Sequence, residues 1–372
     1  MRFNVPSKLL LSRLNGVSKA IGTGKNAYAI LDNFLFVLDG DNLVITGSDL
    51  ETRLTTTIVV SEAEGTGQVA LDVRRMLSIL KELPDTALTF NINDETLAVK
   101  ITYPNGEFNI AGLDGADYPA KLIATGIKTF SLPEKNIASG LQRTIFAVGN
   151  DKTHVMFMGV YWDIMPDMIV YVATDSHILV RYKQTTATPG FESSFIMPTK
   201  PAQILLSLLD KNGEAPVSIQ LEEKSATFET EDYTLSCRFH NGRYPRYNSV
   251  IPENVPYVVT VDRLSLESAL RRVSVLASAG GLIQLKIDTG SIELTAQDID
   301  HATAATETVT CDYNGVPMTM GFNNQNVLDV LRNIDSESVL IKLIDPARAG
   351  IFLPAEQQPG EDLLILQMPM MV

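Results

Sequence analysis

The sequence predicts an α+β protein of three similar domains, each with two helices packed on antiparallel sheets. Two observations carry this. One pattern recurs three times at intervals of about 125 residues, and within each copy short alternating runs outnumber helical ones. Such a unit is far longer than the roughly 20–50 residues of a solenoid repeat and can close its own core. The domains fall at 1–126, 127–253 and 254–372, with turn-forming stretches at 124–129 (ATGIKT) and 251–257 (IPENVPY).

Each copy opens on a short strand, then Pro or Asp, then a helix: FNVPSKLLLSRL from Phe3, FSLPEKNIASGL from Phe130 and VTVDRLSLESAL from Val259. Leu10, Ile137 and Leu266 match, as do Leu14, Leu141 and Leu270, a spacing that lines one apolar helix face. In the first copy, strand 2–5 leads to a helix at about 7–21, followed by strands near 28–38, 41–47 and 52–60. Strand 67–71 then leads to a helix at about 73–83 and strands near 87–92, 95–102 and 106–111. The order is β-α-β-β-β, twice. An acidic turn closes the middle strand at Asp49, Asp175 and Asp298, and the second helix recurs as VALDVRRMLSIL, FIMPTKPAQILL and GFNNQNVLDVL. In the third copy the middle (CDYNGVPMTM) divides less clearly.

Composition is that of an ordinary globular protein, 45% apolar and 20% charged. Two cysteines, Cys237 and Cys311, lie in different copies and form no disulfide framework, which points to a reducing compartment. MRFNVPSKLLLSRL lacks the apolar core of a secretory signal, and no apolar run approaches the roughly 18 residues of a membrane span. The expected location is the cytoplasm, with no membrane partner.

Charge is distributed unevenly. The whole chain stands at −14, yet the six predicted helices carry 14 Lys and Arg against six Asp and Glu, leaving −22 elsewhere. One reading is the tolerance of helices for Lys and Arg. The other is a basic helical surface on an acidic body, facing a polyanion through sequence-independent, salt-sensitive contacts. No recognition helix, zinc finger or aromatic stacking platform appears, so base reading is not expected.

The search for catalytic chemistry is negative. None of the four histidines, His154, His177, His240 and His301, stands at metal-ligand spacing to another or to a cysteine. Thr174-Asp175-Ser176-His177 groups a nucleophile with a base, but neighbours in a strand face opposite ways and triads assemble from distant segments. It reads as a polar turn. GTGKNA (22–27) lacks phosphate-loop spacing and follows a helix, and LDGADYP and HNGRYP are turns at equivalent places. No enzyme, cofactor or metal is indicated.

Five stretches carry a resemblance: GSDLE (47–51), VATDSHILV (172–180), NGRYPRYNSVIP (241–252), GFNNQNVLDVL (321–331) and LILQMPMMV (364–372). Together, in this order, they resemble the bacterial DNA polymerase III β subunit family, the replicative sliding clamps, over nearly the whole chain. The resemblance implies a DNA clamp fold in which a head-to-tail homodimer closes six domains into a ring around duplex DNA, lined by helices. Weak phosphate contacts would let such a ring slide, and its acidic outside would discourage binding there. It would tether DNA polymerase without catalysis, as a processivity factor. The implied DNA-lining residues are Lys8, Arg13, Lys25, Arg74, Arg75, Lys135, Arg143, Lys200, Arg271 and Arg272. The implied dimer contact brings Phe108 and Ile110 near Val275 and Leu276 of a second copy.

The resemblance also implies a pocket that takes short linear peptides of the polymerase and clamp-loader subunits. Its matching positions are Phe157, Thr174, Ser176, His177, Ile178, Leu179, Pro245, Val250, Asn323, Leu366, Met368, Pro369 and Met370. Flexible, polarizable Met suits varied apolar anchors. This sequence departs from the family pattern on the rim: Ser176 stands where Gly is frequent, and Ile178, Ser249 and Met371 where Arg is frequent. Gly280 replaces an aromatic residue. The peptide preference is thereby left open. The alternative is a three-domain binding or enzymatic protein of the same fold that encircles nothing.

Overall fold

The computed structural model describes residues 1–22, 28–120 and 127–372. The first copy runs β1 (Arg2–Pro6), α1 (Ser7–Ser18), β2 (Asn33–Asp39), β3 (Asn42–Ser48), β4 (Thr52–Val59), β5 (Ser61–Glu64), β6 (Gly67–Asp72), α2 (Val73–Glu82), β7 (Ala87–Ile92), β8 (Ala98–Tyr103), β9 (Gly106–Ala111) and β10 (Leu113–Asp114). The second runs β11 (Lys128–Pro133), α3 (Glu134–Thr144), β12 (Gly159–Met165), β13 (Met168–Thr174), β14 (Ile178–Gln184), β15 (Ser193–Pro198), α4 (Thr199–Leu208), β16 (Pro216–Leu221), β17 (Ser225–Glu229) and β18 (Thr234–Arg238). The third runs β19 (Tyr257–Asp262), α5 (Arg263–Ser274), β20 (Leu282–Asp288), β21 (Ser291–Asp298), β22 (Thr303–Asp312), β23 (Met318–Asn323), α6 (Asn324–Arg332), β24 (Ser338–Leu343), β25 (Gly350–Pro354) and β26 (Glu361–Gln367). The β-α-β-β-β order therefore holds in all three. Residues 28–38 divide into a short 3-10 turn, Ala29–Asp32, and β2, while β5 and β10 are short additions.

Two compact units emerge, one of Met1–Lys135 with Gln203–Phe239, the other of Asn136–Ala202 with His240–Val372. The first holds a five-stranded sheet, β5-β1-β7-β8-β9, and a nine-stranded one, β10-β6-β2-β3-β4-β18-β17-β16-β11. The second holds twelve strands in the order β15-β12-β13-β14-β26-β25-β24-β19-β22-β21-β20-β23. Every described pairing is antiparallel, as the alternating burial along strands such as β1 and β20 requires.

The helices sit where apolar periodicity sends them. Leu10, Leu14, Ile137, Leu141, Leu266 and Leu270 are all at most 1% exposed, so the matched positions are the buried face in each copy. Burying each leucine contributes about 1.5–3 kcal/mol. Asp72, Asp262 and Asn323 cap α2, α5 and α6, accepting from the amides of Arg75 (2.8 Å), Ser265 (2.7 Å) and Asn326 (3.1 Å). In the first unit Phe3 stacks on Phe90 at 4.9 Å, and in the second Trp162 packs between Tyr171 and Phe195. Gly140 lets α3 approach β13 closely, since a Cβ there would lie 2.4 Å from the Tyr171 ring.

Candidate peptide pocket, basic helices and open strand edges

Residues Thr174 to Ile178 form a tight turn between β13 and β14. The Asp175 carboxylate accepts from the amides of His177 (2.8 Å) and Ile178 (2.7 Å), while the Thr174 hydroxyl donates to the Ile178 carbonyl (2.6 Å) and accepts from the Ser176 amide (3.1 Å). The chemistry is that of an Asx turn, with the hydroxyl and carboxylate spent on backbone.

Against this turn lies an apolar cluster. Leu179, Leu366, Val170, Val172, Tyr244 and Tyr247 form its buried part, and half-buried Phe157, Met156 and Tyr161 pack on it. Tyr161 stacks on Tyr244 at 4.4 Å, Phe157 meets Tyr244 edge-on at 6.3 Å, and the Tyr247 hydroxyl donates to Asp163 at 2.8 Å. Burial raises the Tyr244 and Tyr247 hydroxyls well above the ordinary phenol range. Both stay neutral at physiological pH.

The terminal segment closes one side. The Met368 amide donates to the His177 carbonyl, and the Met370 amide donates to Gly321, each at 2.8 Å. Met368 remains 43% exposed and Pro369 and Met370 half-buried. His177, Ser176, Pro245 and Val250 are exposed around the cluster. Among the sequence-predicted pocket residues, Phe157, Thr174, Ser176, His177, Leu179, Leu366, Met368, Pro369 and Met370 are thus brought together with the turn, the cluster or the terminal segment.

Ile178 requires correction, and Asn323 is engaged as a helix cap. Ile178 is 4% exposed, and as the strand neighbour of Leu179 it faces away from the cluster, so it is core and not rim. Asn323 spends its side-chain oxygen on the α6 cap and donates to the Gly280 carbonyl at 3.4 Å. Tyr161, Tyr244 and Tyr247 were missed. The equivalence of LDGADYP and HNGRYP was the available signal, since Tyr118 is buried beside Leu31 and Leu35 as Tyr244 is beside Phe157 and Tyr161.

The basic candidates divide into two groups. Lys8, Arg74 and Arg75 are exposed on α1 and α2 with no ion-pair partner among the described residues. Others are held by carboxylates: Arg13 by Asp232 with its guanidinium over Tyr233, Lys135 by Glu214, Arg271 by Glu267 and Arg272 by Glu307. Arg143 reaches Asp335 at 3.1 Å and Glu361 at 3.8 Å and lies over Tyr182. The Asp232 hydrogen bond raises Arg13 further above its already high range, and Glu307 does the same to Arg272. Lys200 is half-buried in α4, and Lys25 lies outside the described residues.

Phe108 and Ile110 lie on β9, the edge strand of the five-stranded sheet, half-buried against the first unit's core. Val275, just past α5, is 78% exposed, and Leu276 is half-buried. A further edge had escaped the sequence reading. β22 pairs with β21 over Thr303–Thr310 but meets β19 only at Cys311 and Asp312, leaving one side of residues 303–309 without a ladder among the described residues.

Comparison with known proteins bears on these features. Models of the DNA polymerase III beta subunit match the chain in three consecutive segments: the N-terminal domain at residues 1–122, the central domain at 131–246 and the C-terminal domain at 248–370. The beta sliding clamp of Pseudomonas aeruginosa is 27% identical, covering 100% of both chains, and that of Staphylococcus aureus is 28% identical over 98% of each. A crystal structure of the Pseudomonas aeruginosa clamp bound to griselimycin superposes with a TM-score of 0.94 at 26% identity, with full coverage of both chains. That of the Bacillus subtilis clamp shares the fold, at 22% identity and a TM-score of 0.92, covering 100% of this chain and 99% of that one.

Fold and site together define a replicative sliding clamp, a protein of DNA replication. The chain belongs to the DNA polymerase III beta subunit family.

Proposed function

We propose that two copies of this chain close head to tail into a ring around duplex DNA, and that the ring works without catalysis in the cytoplasm. The three domains at 1–126, 127–253 and 254–372, in each of two copies, are its six units. Exposed Lys8, Arg74 and Arg75, with the carboxylate-held residues Arg13, Lys135, Arg143, Arg271 and Arg272, line the hole.

The observation that carries this reading is a repeated joint between strands. β4 of the first copy of the pattern pairs with β18 of the second, Thr52 opposite Cys237 and Leu54 opposite Leu235. β14 of the second pairs with β26 of the third in the same way, Ile178 opposite Gln367 and Val180 opposite Ile365. By position in the repeat, β4, β14 and β22 are equivalent, as are β18, β26 and β9. The two members left without this joint among the described residues are β22 and β9. A third joint of the same kind therefore needs a second molecule, and heterologous contacts that close make rings.

The equivalence extends to register. Arg238 donates its amide to the Glu51 carbonyl at 2.9 Å, as Met368 does to His177. The third joint then sets Ile110 opposite Thr303 and directs the Ala111 amide to the Ala302 carbonyl. Phe108 and Ile110 face the second copy near Val275 and Leu276.

The Asp175 turn, the aromatic cluster and Met368–Met370 form the docking pocket for short apolar peptides of DNA polymerase and clamp-loader subunits. The Met-flanked apolar floor supports this reading.

Retention on DNA tests it. Loader-assembled protein remains on closed circular DNA and is lost when the circle is cut, while its mass in solution is that of a dimer. Equal loss from circular and linear DNA, or a monomer mass, overturns the ring.

A further inference from the structure

The same repeat equivalence locates a counterpart of the peptide pocket in each copy of the pattern. Strand registers fix the correspondence. Tyr161 opposes Val172, Leu35 opposes Thr46 and Gln284 opposes Thr295, each on the first and second strands after the leading helix. Asp49, Asp175 and Asp298 follow at the turn.

The three counterparts differ in content. In the first copy Leu31, Leu35 and Tyr118 are buried together, and Arg53 lies over the Tyr118 ring at 5.9 Å while donating to the Pro119 carbonyl at 2.7 Å. That place is filled. In the second copy lies the apolar peptide pocket. In the third, Gln284 and Thr295 stand where Tyr161 and Val172 stand, Gly280 stands where Phe157 stands, and the place is an open groove of about 370 Å³.

Its lining includes Leu282, Gln284, Gln297, Asp298, Ile299 and Asp300, with neither an aromatic nor a basic residue among the described residues. Asp298 spends one oxygen on the His301 amide (3.1 Å) and the other on the His301 ring (3.0 Å). Asp300 is exposed, with no ion-pair partner among the described residues. Ile299, 83% exposed at the tip of the turn, offers an apolar edge beside these acceptors. Amide and hydroxyl groups, a carboxylate and the aliphatic side chains of Ile299 and Leu282 match a side chain with a long stem and a cationic head.

We infer that this groove is a second docking site, taking a peptide segment with an arginine or lysine whose head meets Asp300, Gln284 and Gln297 and whose stem lies along Ile299. The inference rests on reading the second-copy counterpart as a peptide pocket. Peptide selection then differs between two equivalent places, apolar at one and cationic at the other.

Fluorescence anisotropy on the full-length protein tests it, with a labelled hexapeptide of Gly, Ser and two Arg and a second of Leu and Phe. Binding of the arginine peptide saturates, weakens at least fivefold in both Gln284→Tyr and Asp300→Asn, and is unchanged by removing residues 368–372. The Leu-Phe peptide behaves in reverse. Equal binding of the arginine peptide to the unmodified protein and both variants, no saturable binding, or competition between the two peptides overturns the second site. Failure of the Leu-Phe peptide to respond to the truncation instead counts against the apolar pocket, and the two failures remain distinguishable.

Discussion

Ser176 shows how much of the pocket is set by a single backbone angle. Its φ is +81°, and Leu50, at the same place in the first copy's turn, has φ +80°. L-residues adopt this region at a cost of about 1–3 kcal/mol. Both turns survive because a preceding aspartate binds two amides, at 3.1 and 2.7 Å for Asp49 and at 2.8 and 2.7 Å for Asp175. Ser176→Gly relieves the strain and is expected to raise unfolding stability by about 1 kcal/mol, measured by denaturant titration. A decrease would mean that the serine side chain makes a stabilising contact outweighing its strained backbone. Sequence comparison alone located the departure from Gly, but not that the residue sits in a left-handed conformation.

The terminal segment is a separate element with two jobs. Its amides tie it to His177 and Gly321, and it follows directly on Leu366 of the apolar cluster. Removing residues 368–372 exposes Leu366 and leaves the His177 carbonyl without its partner, but touches neither β9 nor β22. Loss of at least tenfold in Leu-Phe peptide affinity with an unchanged dimer mass is expected by anisotropy and sedimentation. Equal affinity would remove the segment from the pocket.

At this scale most of the fold was legible. Alternation gave β7 and β9 to the residue because both faces of each strand have distinct neighbours. The first helix was read three residues too long, since Lys19, Ala20 and Ile21 continue the apolar spacing while their amides turn to bonds three residues back. The pocket was less legible. Its aromatic floor comes from segments more than 80 residues apart, Tyr161 and Tyr244, and stacking across that distance leaves no local periodicity. The edge of β22 was invisible for the same reason. An unpaired edge is defined by which neighbours are missing.

For the whole molecule, the proposed joint between copies is the decisive contact. Ile110 projects from β9, half-buried and opposite Thr303 in the proposed register. Ile110→Glu places a carboxylate in that joint opposite Thr303, and burying it unpaired costs several kcal/mol. The variant is expected to measure as a folded monomer by light scattering, with an unchanged circular dichroism spectrum, and to leave circular DNA as fast as linear. A stable dimer would move the joint elsewhere.

The carboxylates that hold five of the helix-borne cations have a consequence for motion. On the proposed ring, a guanidinium leaving Asp232 or Glu307 for a phosphate would exchange one anion for another, so each contact would begin and end in a similar electrostatic state. Fewer counterions would then be released than the number of Lys and Arg near the duplex, and affinity would fall less steeply with salt. Along the axis of an encircled duplex the landscape would then be nearly level. The protein would carry its own substitute for the phosphate it has just left, and that is the condition for low friction at every step.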